Sequence, residues 1–443
     1  CLNSERIIKV HLKTADGGER GGMMKKIVGI LLCSVFLCGC IEPGKINKDT
    51  VLKDTALVTE SPLPFEEEKL PEKEETGQKE EITEEQNSIV QAETEFTDEV
   101  KAELMRKQQD LYYFSTMEIT QQNLYVEILY ALENFIDEMQ VSTTDPAQID
   151  KVFQCVLMDH PEIFYADGYS FVKYTLGDEI KKITFKGTYI YNQEEKQQKE
   201  AEIEMAALQL LKGIEASAAD YEKVKYVYET IIHNTEYDMT AEDNQNICSV
   251  FLNHASVCQG YAKAVQYLLD KLNIPSSLVI GTVENGEGHA WNLVKINNQY
   301  YYLDATWGDA SYKLQTNDEN GMIQNTPDIN YDYLCVTTED LMKTHSLSEM
   351  VPLPECNCMD ANYYVREGAY FIEADYDQLV RLLERYHAEE RESVTLRCAD
   401  DKVYQQMWND LLTEQKIFQY MDGKNNSIMY TDAPKQRSIT FWL

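Results

Sequence analysis

The chain has 443 residues, with 40 Lys and Arg against 76 Asp and Glu, and carries a formal net charge of −36. A field of that sign opposes phosphate backbones, whose recognition draws on Lys and Arg, so nucleic-acid binding is excluded as a function class. At 43% hydrophobic and 10% aromatic residues it can bury the cores of two to three domains of roughly 150 residues each, while its longest apolar run, Ile27 to Cys38, is too short for a membrane-spanning helix of about 20 residues.

From the N-terminus, Cys1 to Gly22 is polar and charged, and Gly-Gly-Glu-Arg-Gly-Gly at 17–22 reads as a purine-rich ribosome-binding stretch translated into residues. Residues 1–22 are therefore expected to lie upstream of a natural start at Met23 or Met24. Met24-Lys25-Lys26 and the apolar run supply the positive and hydrophobic regions of a secretory signal over 23–39. Leu37-Cys38-Gly39-Cys40 resembles the lipobox of bacterial lipoproteins, which implies cleavage before Cys40 and lipidation of its thiol. Two or three acyl chains, at about 0.8 kcal/mol per buried methylene, hold a protein stably on a membrane where one does not. The expected location is extracytoplasmic, anchored to the bacterial membrane. Residues 40–97, rich in Glu, Lys, Thr and Pro with a Glu66-Glu67-Glu68 run, cannot build a core and read as an acidic, disordered tether extended by self-repulsion.

Residues 98–218 read as an N-terminal α+β subdomain. Leu124, Ile128, Leu129, Leu132, Phe135 and Ile136 recur at helical spacing, and Asp145 to Met158 repeats the pattern behind a capping Asp. Alternation at Ser170 to Tyr174 and Lys182 to Tyr191 predicts strands, and Asn192 to Leu211 returns to helix. A helix from Asp220 to about His233 opens the next region, 219–350.

There Ser256-Val257-Cys258-Gln259-Gly260-Tyr261-Ala262 precedes a periodic helix whose Val265, Leu268, Leu269 and Leu272 face a core until Pro275. Cys258 thus sits at a helix N-terminus, where the dipole and unpaired amides favour an anion such as a thiolate. Two strands, around His289 and around Asp304, flank Asn297-Asn298, a hairpin signal. If 296 pairs with 299, then 291 faces 304 and 289 faces 306, which puts His289 and Asp304 one diagonal step, about 7–8 Å, apart on one sheet face. The set has Cys-His-Asp logic: Cys258 attacks a carbonyl, His289 moves the proton, and Asp304 steadies the imidazolium.

Cys258-Gln259-Gly260-Tyr261-Ala262, Gly288-His289-Ala290-Trp291-Asn292 and Tyr302-Leu303-Asp304-Ala305-Thr306-Trp307, in that order, resemble the core of the transglutaminase-like superfamily over about Tyr221 to Ala310. More weakly, Lys223 to Asp238 and His160-Pro161-Glu162-Ile163-Phe164-Tyr165 look like bacterial members of the group. The resemblance implies a papain-like fold, a nucleophile helix packed on an antiparallel sheet, and an enzyme acting on amide bonds through Cys258, His289 and Asp304 with no cofactor or metal. One departure stands out. Well-known transglutaminases place a Trp upstream of the nucleophile, yet Trp291, Trp307, Trp408 and Trp442 all follow Cys258. The Cys258 amide and Tyr237 are then the candidate oxyanion donors, and hydrolysis is favoured over transamidation; a catalytically idle module binding peptide or wall polymer is the competing class.

Other features get plainer readings. His254, four residues before Cys258, reads as a solvated loop residue, and Trp291 and Trp307 as packing around the site. Cys335, Cys356, Cys358 and Cys398 lack zinc-ligand spacing, although export would allow disulfides. Seven cysteines follow Cys40, an odd set that fits one thiol, Cys258, kept for chemistry. From Asn362 the chain reads as strand Tyr363 to Ile372, helix Tyr376 to His387, strand Ser393 to Cys398, helix Lys402 to Leu412 and strand Ser438 to Leu443. This is a small α/β module, 351–443, without a catalytic set. The whole is expected to be an α+β monomer acting on a protein or peptide substrate.

Overall fold

Helices begin where the sequence supplies caps. In the computed structural model, which describes residues 8–11, 96–176, 179–309, 329–348, 351–421 and 427–443, Thr97, Asp145, Asn192, Asp375 and Asp400 each accept a backbone N–H in a helix's first turn. The signal at 23–39, Cys40 and the tether to residue 95 lie outside the described residues. Within 1–22, Ile8–His11 is placed as an edge strand, β1.

The region expected to be an α+β subdomain has helices Asp98–Lys107, Tyr112–Thr116, Ile119–Glu133 and Pro146–Asp159, strand β2 (Met139–Val141), a long hairpin of β3 (Ala166–Leu176) and β4 (Glu179–Tyr189), and helix Gln193–Leu210. The strands pair antiparallel in the order β2-β4-β3. Asp159 closes this part of the core: its buried carboxylate accepts from the Tyr113 amide at 3.3 Å, the Phe114 amide at 3.0 Å and the Tyr125 hydroxyl at 3.1 Å. Burial pushes that carboxyl up to about 6 against the pull of these donors and His160.

The middle of the chain builds the scaffold of the site. Helix Asp220–Asn234 leads into β5 (Glu236–Tyr237), which pairs parallel with β6 (Ala255–Ser256) just ahead of helix Cys258–Lys271. Then come β7 (Ser276–Val283), β8 (Gly288–Ile296), β9 (Gln299–Leu303), a one-turn helix Ala305–Gly308 and β10 (His345–Leu347). They form an antiparallel sheet in the order β10-β7-β8-β9. Asn297 and Asn298 both take positive φ, 50° and 64°, the two-residue turn that the Asn-Asn pair predicts, and Ile296 pairs with Gln299 as expected. Leu278, Ala290 and Val294 join the main core with Val265, Leu268 and Leu269 of the helix. Val279, Trp291, Leu293 and Tyr302 form a second core with Val336, Leu341 and Cys356. The sheet is buried on both faces.

The C-terminal part adds β11 (Tyr370–Phe371), β12 (Ser393–Cys398), β13 (Ser427–Ala433) and β14 (Ser438–Trp442), ordered β1-β13-β14-β12-β11, with helices Tyr376–Ala388 and Asp401–Trp408. Its first expected strand is corrected. Residues Tyr363–Arg366 are a helical turn, because Asn362 caps the amides of Tyr364 and Val365, and only Tyr370–Phe371 is extended. Helices and mostly antiparallel sheets in separate blocks make the chain α+β. Among the described residues no helix is long and apolar enough to cross a membrane.

Candidate active site

Cys258 is the first residue of its helix, capped by Val257 in an extended conformation, and is 4% exposed. Two features hold it there. Ser256 Oγ donates to Asn244 O at 2.7 Å and meets Ser249 Oγ at 2.7 Å, so the segment entering the helix is tied down. Gly260 has no room for a side chain: a Cβ would stand 1.9 Å from Ser256 Oγ and 3.0 Å from Asn244 O. This accounts for the Gly in Cys-Gln-Gly-Tyr. The helix is registered on the sheet by the wholly buried Asn292, whose Nδ2 donates to Ala262 O at 2.8 Å, and it packs also against the Ala305–Gly308 turn.

His289 lies near the start of β8, opposite Gly281 of β7. Asp304 is not where diagonal pairing put it. The ladder ends at Asn292 with Leu303, and Asp304 leaves the sheet to cap the Ala305–Gly308 turn, its Oδ1 accepting from the Trp307 amide at 3.1 Å. The cap wins because Asp in an extended conformation satisfies an otherwise orphan helix N–H. The pair still forms: His289 Nε2 stands 2.7 Å from Asp304 Oδ2. Burial alone would raise the Asp304 carboxyl, yet His289 and His345 together hold it well below the usual carboxylate range.

His345 is the residue that sequence reasoning missed. It sits on edge strand β10, 2% exposed, with Nε2 at 3.1 Å from the same Asp304 oxygen. Its ring is surrounded by Trp307 at 4.8 Å, Trp291 at 5.0 Å, His289 at 5.4 Å and Tyr333 at 5.7 Å between centroids. Burial lowers its tendency to charge, with Asp304 opposing. Gly281 allows this edge to close, since a Cβ there would strike Ser346 O at 2.0 Å. Among the described residues, His289, Asp304 and His345 are the group whose donor atoms lie close enough for a metal, within 4.8 Å of one another. Their 2.7 and 3.1 Å separations are hydrogen-bond lengths, and carboxylate–imidazole pairing accounts for the cluster.

Tyr237 lies opposite Ser256 across the β5–β6 pair, and the Asp238 amide donates to Ser256 O at 2.9 Å, so this candidate donor flanks the entry to the Cys258 helix. His254 is exposed at a left-handed turn, as a loop residue should be. Trp291 is fully buried, a packing residue. Parity does not single out Cys258: none of the seven cysteines after Cys40 is in a disulfide among the described residues. Cys155, Cys248, Cys356 and Cys398 are held in apolar surroundings that push each thiol up to about 12, which makes them core filling.

Residues 208–305 match the family model described as the transglutaminase-like superfamily. No curated protein matches the chain significantly. Solved structures with local similarity include a TGase at 13% identity, TM-score 0.23, covering 36% of this chain and 53% of the other. A provisionally assigned cysteine protease from Cytophaga hutchinsonii has 17% identity and TM-score 0.21, covering 31% and 61%. A provisionally assigned protease from Parabacteroides distasonis ATCC 8503 has 12% identity and TM-score 0.20, covering 31% and 39%. The chain therefore spans less than two thirds of each of these relatives.

Proposed function

We propose that the transglutaminase-like domain is the catalytic unit of a membrane-anchored cysteine hydrolase that cuts peptide or amide bonds through an acyl-thioester on Cys258. The observation that carries the reading is the buried 2.7 Å contact between His289 Nε2 and Asp304 Oδ2 beside a helix that begins at Cys258. A carboxylate can only accept, so His289 carries its proton on Nε2 and presents the bare Nδ1 as base. The thiol proton passes to Nδ1 as Sγ bonds the carbonyl carbon. The C–N bond then breaks and the leaving amine takes the proton from Nδ1. Water attacks the thioester, gives a proton back to Nδ1, and releases the acid as the thiol is restored. The Cys258 amide and the Tyr237 hydroxyl are the proposed donors to the oxyanion.

Transamidation shares the acyl-enzyme and differs only in whether an amine or water reaches the thioester. The absence of any Trp before Cys258 favours water, because that position contributes to the wall of the amine tunnel in the well-known crosslinkers. Anchoring through Cys40 and an acidic tether would hold the domain outside the membrane, facing protein or peptide substrates. The test offers the purified protein a Gln-containing peptide pool with and without a labelled primary amine, with products read by mass spectrometry. New peptide termini that require Cys258 are expected. Ammonia release with amine incorporation and no chain cleavage would make the protein a transamidase instead.

A further inference from the structure

The hydrogen bonds around Asp304 run on past His345 into the C-terminal module. Asp304 Oδ2 takes two imidazoles, His289 Nε2 at 2.7 Å and His345 Nε2 at 3.1 Å, and an ionised carboxylate has no proton to offer either. Both rings must therefore carry their proton on Nε2. For neutral His345 this leaves Nδ1 as an acceptor, and it meets the Thr344 hydroxyl at 2.8 Å. If Thr344 donates there, its oxygen is open to accept, and Tyr333 Oη lies at 3.5 Å. Tyr333 Oη in turn accepts from Gln436 Nε2 at 3.1 Å. One direction satisfies the chain: Gln436 to Tyr333 to Thr344 to His345 to Asp304, with His289 donating to the same oxygen from the other side. The competing arrangement turns the Thr344 hydroxyl to Leu341 O, 3.4 Å away, and would aim a bare His345 nitrogen at the carboxylate.

Gln436 belongs to the turn between β13 and β14 and is 2% exposed. The segment it reaches is clamped to the same module. Arg397 of β12 pairs with Asp332 at 3.1 Å and Asp340 at 2.9 Å, and Ser438 Oγ donates to Asp332 at 2.7 Å. Tyr333 O also accepts the Asp304 amide at 3.0 Å. We infer that His345 is a positioning residue for the reaction, holding Asp304 and through it the His289 tautomer, and that the C-terminal module takes part in catalysis by supplying Gln436, the first donor of the chain. This rests on the hydrolase reading for its consequence in turnover, not for its effect on Cys258 itself.

The experiment uses the full chain and reads Cys258 alkylation by iodoacetamide against pH, site-resolved by mass spectrometry, beside turnover of the peptide pool. The groups facing His345 are Asp304, His289, Thr344 and Tyr333, with Asp332 behind Tyr333, so each titration is read against these. His345→Phe keeps a ring and removes the donor; His345→Gln keeps a donor at the reach of Nε2. His345→Phe is expected to lower kcat about tenfold with KM unchanged and to move the alkylation midpoint up by about one pH unit. His345→Gln should stay within about threefold of wild type, and Gln436→Leu should shift alkylation in the same direction by less. Equal loss in His345→Phe and His345→Gln would reduce His345 to packing and overturn the inference, as would a wild-type alkylation profile in His345→Phe. A shifted profile in a protein that turns over nothing would sink the hydrolase reading and leave the positioning role standing.

Discussion

At the residue scale the site divides into groups that a local motif announces and groups that only folding assembles. Cys258, His289 and Asp304 each sit in a short run whose residue types are mutually explanatory, so they are legible in one dimension. His345 is not: it lies 41 positions from Asp304 on a three-residue strand, and its role comes from edge pairing with β7. Substitution at the three legible residues should separate chemistry from folding. Cys258→Ala should abolish turnover, and Asp304→Asn should lower kcat by about 10²–10⁴-fold by releasing the imidazole, with unfolding curves checking that the fold persists. A different residue on the Cys258 helix costs stability. Lys263 is 7% exposed, and among the described residues it has no ion pair or hydrogen bond; burial pushes its ammonium down to about 8. Since the folded value lies below the ordinary 10.5, the unfolded chain binds the extra proton and the penalty is complete below pH 8. Lys263→Met should therefore stabilise the protein at pH 7 by on the order of 3 kcal/mol, an advantage that shrinks as pH rises from 8 toward 10.5, as urea titrations at pH 7 and pH 10 can check.

At the element scale, caps and turn residues carried most of the prediction. Asp145 caps the helix it was expected to cap, Asn192 caps the helix expected from it to Leu211, and Asn297-Asn298 closes the hairpin in the expected register. Two misreadings share one cause, a polar residue that captured helix amides at a strand boundary. Asp304 ended β9 at Leu303, short of the expected pairing of 289 with 306, and Asn362 turned the aromatic, strand-like run after it into helix. β13 escaped notice because its Asp432 and Thr431 dilute the alternation that β12 shows plainly. An element with little room for change is the entry to the Cys258 helix. Gly260→Ala must push Ser256 away from 1.9 Å, at a cost of about 1–3 kcal/mol, and should slow Cys258 alkylation beyond what a stability loss of that size explains. Gly260→Ala with wild-type alkylation kinetics would show that the Ser256 network does not position the thiol.

At the scale of the whole molecule, composition indicated several domains but nothing in the sequence says how they meet. The N-terminal block docks through the Tyr113 hydroxyl on Leu278 O at 2.7 Å and Gln266 on the carbonyls of Met158 and Asp159 at 3.0 and 3.2 Å. The C-terminal block docks through Arg397, 3% exposed, between two aspartates of the segment that carries Tyr333. Such contacts join residues 57 to 165 positions apart, on the order of a domain length, which no periodicity encodes. Arg397→Met should strand Asp332 and Asp340 and cost about 3–5 kcal/mol in denaturant titration, far more than a surface ion pair. The proposed reaction turns on a covalent state of the protein, which acid-quenched mass spectrometry can trap after brief mixing with the Gln-containing peptide pool. An acyl adduct is expected on the Cys258 peptide, absent in Cys258→Ala and lost with time as new peptide termini appear. Undiminished peptide cleavage by Cys258→Ala, with no adduct on Cys258 in the wild type, would refute the thioester route.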